Sequence, residues 1–207
     1  MKYRTIILGL FGAAGIAALA AQAQVPGVNS TLNTVFTLAY DNSTSKPTYS
    51  SSLAFAPPTT AHDLCFLKGS STKTIRVRRV ILSGIANLAQ TDPVSIKKLS
   101  SAPTGGTGTT PTPIPYNSSN SAATAVAEFY TVQPTNAPTS VGILVEAMLP
   151  WGASTTLSRP LEFKFGELAA PVFLRGTSQF VSVNLSGLTF VSATLTCTFE
   201  WTEDNDS

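Results

Sequence analysis

The chain has 207 residues, of which 13 are basic, 11 are acidic and one is a histidine. Charged side chains make up 12% of the sequence, and Ser, Thr, Gly and Pro fill much of the rest. That balance fits short strands joined by many turns and gives no electrostatic argument for a nucleic-acid or membrane-surface partner.

Lys2 and Arg4 precede an uncharged apolar run from Thr5 to Ala20, followed by Ala21-Gln22-Ala23. A positive start, an apolar core and an A-x-A site are the features of a secretory signal, here with cleavage expected after Ala23. The run is short against the roughly 20 residues of a membrane span, which sets a retained anchor second. Without residues 1–23 the basic residues fall to 11, and the mature chain is formally neutral. The expected organisation is a signal helix over 1–23, then an arm and first strands over 24–60. The main body over 61–207 forms one domain with that second segment.

Thr34–Tyr40 reads as a strand and 41–52, rich in Ser, Thr and Asn, as a loop. Leu53 and Phe55 suggest a short strand ended by Pro57-Pro58, and Asp63–Lys68 is a strong apolar run stopped at Gly69. In 74–83 Arg76 and Arg78 alternate with Ile75 and Val77 until Arg79 doubles the polar position, the pattern a β-bulge produces. Val94–Leu99 is the next strand. Residues 100–121 are too rich in Pro and Gly for a core element and read as a long exposed loop.

Ala122–Thr131 fits a strand better than a helical turn. Val141–Leu149 is a strand ended by Pro150-Trp151-Gly152, and 161–165 alternate as another. Residues 172–175 and 179–185 read as a hairpin around Gly176-Thr177-Ser178, and Ser186-Gly187 as a turn. In 193–203, Leu195, Cys197, Phe199 and Trp201 take one side and Thr194, Thr196, Thr198, Glu200 and Thr202 the other. This strict period of two makes a strand with one apolar face. About ten strands with long return connections predict an all-β protein, a jelly-roll-like antiparallel sandwich.

Few residues offer chemistry. His62 stands beside Asp63, but no G-x-S-x-G elbow surrounds a serine. Two distant cysteines and one histidine match no zinc spacing. The acidic tail Glu200, Glu203, Asp204 and Asp206 lacks a calcium-loop pattern and reads as a solvated end. The expectation is no catalytic residue, no metal and no cofactor.

Arg76, Arg78 and Arg79 are the candidate anion-binding residues, weighed against a charged strand face that discourages edge pairing. Without interleaved aromatics they do not read as a nucleic-acid strand. Trp151, placed at a turn, and Tyr116, in the long loop, are candidates for a sugar platform. Cys65 and Cys197 either pair in an oxidising compartment, worth about 4 to 5 kcal/mol in the chain-entropy account, or pack separately as buried thiols. Spacing does not choose between them.

Asp63–Ser70, Thr72–Val77, Gly105–Thr107, Ser118–Thr124, Val172–Ser178 and Glu200–Glu203 together resemble small β proteins met in phage and prophage gene sets and in bacterial genomes. The resemblance covers roughly residues 60 to 203 and includes no catalytic motif. It implies a virion-surface or exported structural domain, a jelly roll that trimerises. The signal-like start points to export to the periplasm, cell surface or medium, or to a virus assembling at a membrane. The expected function is therefore a non-enzymatic structural or surface-display subunit that associates with itself or with virion or envelope proteins. The alternative is a secreted carbohydrate- or receptor-binding, adhesin-like module.

Overall fold

The computed structural model describes residues 46–58, 62–153, 159–166, 171–185 and 192–205. The chain divides into two units, 1–45 and 46–207, and every described residue belongs to the second. The expected signal segment, the arm, the strand at 34–40 and the turn at 186–187 lie outside the described residues.

Among the described residues there are twelve strands and no helix. They are β1 (Thr48–Phe55), β2 (Asp63–Lys68), β3 (Lys73–Ala86), β4 (Gln90–Leu99), β5 (Thr107–Thr109), β6 (Ile114–Pro115), β7 (Val126–Val132), β8 (Ser140–Ala153), β9 (Leu161–Lys164), β10 (Val172–Leu174), β11 (Phe180–Leu185) and β12 (Ala193–Asn205). They form one mixed sheet in the order β5-β7-β2-β11-β4-β8-β3-β12-β1-β6, with β9 and β10 also on β3. All pairings are antiparallel except a short parallel one between Gly84–Ala86 and Trp151–Ala153.

The sheet is curled, and its two ends are held close by the chain itself. β5 ends one side of the order and β6 the other. Only residues 110–113 separate Thr109 from Ile114, a connection that reaches roughly 17 Å at full extension. The ends therefore face each other, and Phe55 of β1 lies 6.2 Å from Phe129 of β7 between ring centroids.

β12 shows why the sequence folds this way. Both of its edges are paired, one to β1 from Leu195 to Thr202 and the other to β3 along its whole length. Leu195, Cys197, Phe199 and Trp201 are all completely buried. Burying each of the two large aromatics contributes about 2 to 3 kcal/mol. Trp201 stacks on Tyr49 with centroids 6.0 Å apart, and Phe199 meets Phe129 at 6.1 Å. On the polar face Ser52 and Thr198 hydroxyls bond across strands at 2.7 Å.

Several expectations change. The loop expected at 41–52 is already strand from Thr48, because alternate Ser and Thr find cross-strand partners on β12. The expected hairpin of 172–175 with 179–185 is absent: β10 pairs with β3, while β11 lies between β2 and β4. Gly176, at φ 75°, turns the chain between them, and Arg175 N–H donates to the Gln179 side-chain oxygen at 2.9 Å. Fully buried Val181, Val183 and Leu185 gain more from two flanking strands than one short hairpin partner supplies. β8 also continues through Pro150 to Ala153 instead of ending at Pro150.

The acidic end is not simply solvated. Glu203 is 4% exposed, and its carboxyl accepts hydrogen bonds from the backbone N–H of Thr124 (2.9 and 3.0 Å), the Thr124 hydroxyl (2.8 Å), the Ala125 N–H (2.9 Å) and Trp201 Nε1 (3.0 Å). The segment before β7 is thereby fastened to β12, and Tyr49 adds a bond from its hydroxyl to the Ser121 carbonyl.

Candidate functional site

The doubled arginine of β3 is a bulge. Glu200 pairs with Arg79 and Trp201 with Val77, so Arg78 has no register partner on β12. The extra residue leaves Arg79 on the same outer face as Glu200, Glu162 and Tyr116. Its Nε and Nη2 grip both Glu200 oxygens at 2.8 and 2.6 Å, and Nη1 reaches Glu162 at 2.8 Å. A bidentate guanidinium–carboxylate pair is among the stronger charged contacts. Its hydrogen bonds to Glu200 and then Glu162 raise the Arg79 pKa further above its usual range. Partial burial alone pushes Glu200 up, but the bonds from Arg79 and the Tyr116 hydroxyl outweigh it and leave its pKa lowered.

The three arginines do not converge on one open anion cradle. Arg79 is saturated by carboxylates, and Arg76 forms an ion pair with Asp204, which also takes Lys46 Nζ at 2.7 Å. The Arg76 guanidinium also sits 5.0 Å from the Phe173 ring centroid. Arg78 is exposed and, with Arg79, Lys164, Phe165 and Glu200, lines a surface hollow of about 130 Å³. Tyr116, whose hydroxyl meets Glu200, is 61% exposed.

Trp151 is a correction. Expected at a solvent-facing turn, it is 2% exposed within β8, and it lies over Gly84 of β3. A Cβ on residue 84 would stand 2.2 Å from the indole, so the glycine is what admits the ring. Asp92, also buried, takes a hydrogen bond from Gln90 at 3.0 Å; burial raises its pKa more than Trp151 and Gln90 lower it. With its ring buried against Gly84, Trp151 offers no platform.

His62 is exposed beside a hollow of about 120 Å³ formed with Asp63, Gln133, Pro134, Thr135 and Pro138. The buried Ser182 hydroxyl donates directly to Asp63 at 2.9 Å, which is not the serine–histidine–carboxylate order of a triad. Cys65 of β2 and Cys197 of β12 are both fully buried, unbridged and part of the same core cluster.

No family model, curated protein or solved structure matches this chain. The site must be read from its own geometry.

The surface feature that the sequence did not single out is the outer stretch of β8. From Ser140 to Trp151 one edge pairs with β4. The other edge meets β3 only at Trp151–Ala153, so among the described residues 140–150 have no second strand partner. The register with β4 skips Val141 and Leu144, two bulges that turn neighbouring side chains outward. Val141, Ile143, Leu144 and Met148 are 64, 54, 41 and 54% exposed. Aliphatic groups on both faces of a one-partner strand are unusual for a surface left to water. The sequence signal was present as an apolar run, but an apolar run reads equally as a buried strand.

Proposed function

We propose that this protein is a non-enzymatic structural subunit of an extracellular or virion-surface assembly. Its curled sheet acts as a jelly-roll-like sandwich, and its copies meet through the outer stretch of β8. The observation that supports this reading is the exposure of Val141, Ile143, Leu144 and Met148 on a stretch of β8 that, among the described residues, pairs along one edge only. The occupant is a second copy of the chain. An aliphatic stretch with one acidic residue, Glu146, and no basic one offers a partner apolar contact rather than ion pairs, and a two-fold contact uses the same patch twice. Export is supported by the signal-like pattern of residues 1–23.

Size-exclusion with light scattering on the chain from residue 24 tests the proposal. The expected result is an oligomer that becomes a monomer in the I143K/M148K variant, with unchanged thermal unfolding at high dilution. A wild-type monomer at high concentration overturns it.

A second reading, a glycan- or receptor-binding module, is favoured by exposed Ile114 of β6 and exposed Tyr116 just after it, beside the Arg79–Glu200 pair. A glycan array separates the two: a scaffold gives no selective signal, and a binding module loses its signal on Tyr116→Ala.

A further inference from the structure

β2 and β12 are not neighbours in the sheet, since β11, β4, β8 and β3 stand between them in the strand order. They meet because the sheet curls over its core. Cys65 pairs across β2–β7 with Phe129, whose ring contacts Phe199, two residues along the same buried face from Cys197. The aromatic contact thus joins the neighbourhoods of the two cysteines inside the core. The two thiols are close enough to influence each other electrostatically. Both belong to the one large core cluster, with no solvent exposure at either.

Two thiols brought face to face from distant strands do more than fill space as small hydrophobes. We propose that Cys65 and Cys197 are the site of an intramolecular disulfide that locks β2 to β12 across the core. The bond forms by exchange with an external disulfide of the glutathione class. One cysteine thiolate attacks that disulfide and releases one glutathione thiol. The second cysteine thiolate then attacks the protein sulfur of the mixed disulfide and releases the other. Two protons leave the cysteines and two electrons go to the external disulfide, which departs as two thiols.

Complete burial shields both sulfurs in the folded state, and burial raises the Cys65 thiol further from its reactive form. Exchange therefore runs while the chain is still open, and the closed core then protects the bond. The loop from residue 65 to residue 197 is long, the case in which a cross-link restricts the unfolded chain most. This inference is independent of the self-association proposed above.

The test refolds the full chain from urea in a buffer of reduced and oxidised glutathione. The product is then denatured in a maleimide without reductant, and its intact mass is read. The expected species is a monomer lighter than the dithiol by about 2 Da, with no maleimide and no glutathione attached. Reduction with dithiothreitol should then lower Tm by about 10 °C. Cys65→Ser and Cys197→Ser should each take up one maleimide or one glutathione. The C65A/C197A variant should show a Tm indifferent to reductant. Two maleimides on the wild type, a stable glutathione adduct, or dimers that separate on reduction would each overturn the assignment. The wild-type mass decides the matter even if the variants fail to fold.

Discussion

Removing the Glu203 carboxyl gives the sharpest test of how the core is tied together. In Glu203→Ala the Trp201 Nε1 and Ala125 N–H groups, both at buried bonds, lose their acceptor, and the partly buried Thr124 N–H loses two. An unsatisfied buried donor costs about 1 to 3 kcal/mol, and Thr124 is open enough for water to repair part of its loss. The sum is a destabilisation of about 4 kcal/mol, a large share of the 5 to 15 kcal/mol typical of a domain. Glu203→Gln keeps one oxygen for the Trp201 and Ala125 donors, and its amide can donate to the Thr124 hydroxyl, so it should cost about 1 to 2 kcal/mol. Urea unfolding followed by tryptophan fluorescence measures both, at an unchanged m-value. A loss below about 1 kcal/mol for the alanine variant, or a glutamine variant as damaged as the alanine one, would refute the reasoning.

Gly84→Ala drives a methyl into the Trp151 ring and should cost about 1 to 3 kcal/mol or more, read as a lower Tm; a neutral result would mean that β3 and β8 part easily. Glu200 has a lowered pKa in the fold, so its contribution is present above the ordinary glutamate value of 4.5 and is lost as pH falls through the folded value. Arg79→Met should therefore flatten the acid limb of the stability curve. Asp92 has the opposite sign. Its raised pKa favours the folded state below the ordinary value of 3.8 and penalises it as pH rises through the folded one. Asp92→Asn should accordingly gain on the wild type between pH 4 and pH 7 in thermal melts, and a constant difference would remove burial as the cause.

Strand identity was legible wherever one face is apolar and the other polar. Leu195, Cys197, Phe199 and Trp201 announce β12 without help, and the doubled Arg78-Arg79 locates the bulge to the residue. Pairing was far less legible. Val172–Leu174 and Phe180–Leu185 carry a turn between them and look like a hairpin, yet the choice of β3, β2 and β4 as partners depends on side chains far away in sequence. Trp151 was misplaced for a related reason. Pro-Trp-Gly has turn chemistry, and only the distant Gly84 makes room for the ring in a strand. Glu203 looked like one more charge in an acidic end because its donors, Thr124 and Ala125, sit in a segment with no pattern to link them. The open edge of β8 was beyond composition altogether, since exposure depends on which neighbours a strand does not acquire.

The position of β12 in the chain has a consequence for synthesis. β1 and β3 are made early, yet the strand that lies between them is encoded at 193–205. While those residues are still inside the ribosome, two strand edges stay unpaired, and Tyr49 lacks the indole it stacks on. The nascent polypeptide thus reaches its native topology only once residues 193–205 have emerged to fill the gap between β1 and β3.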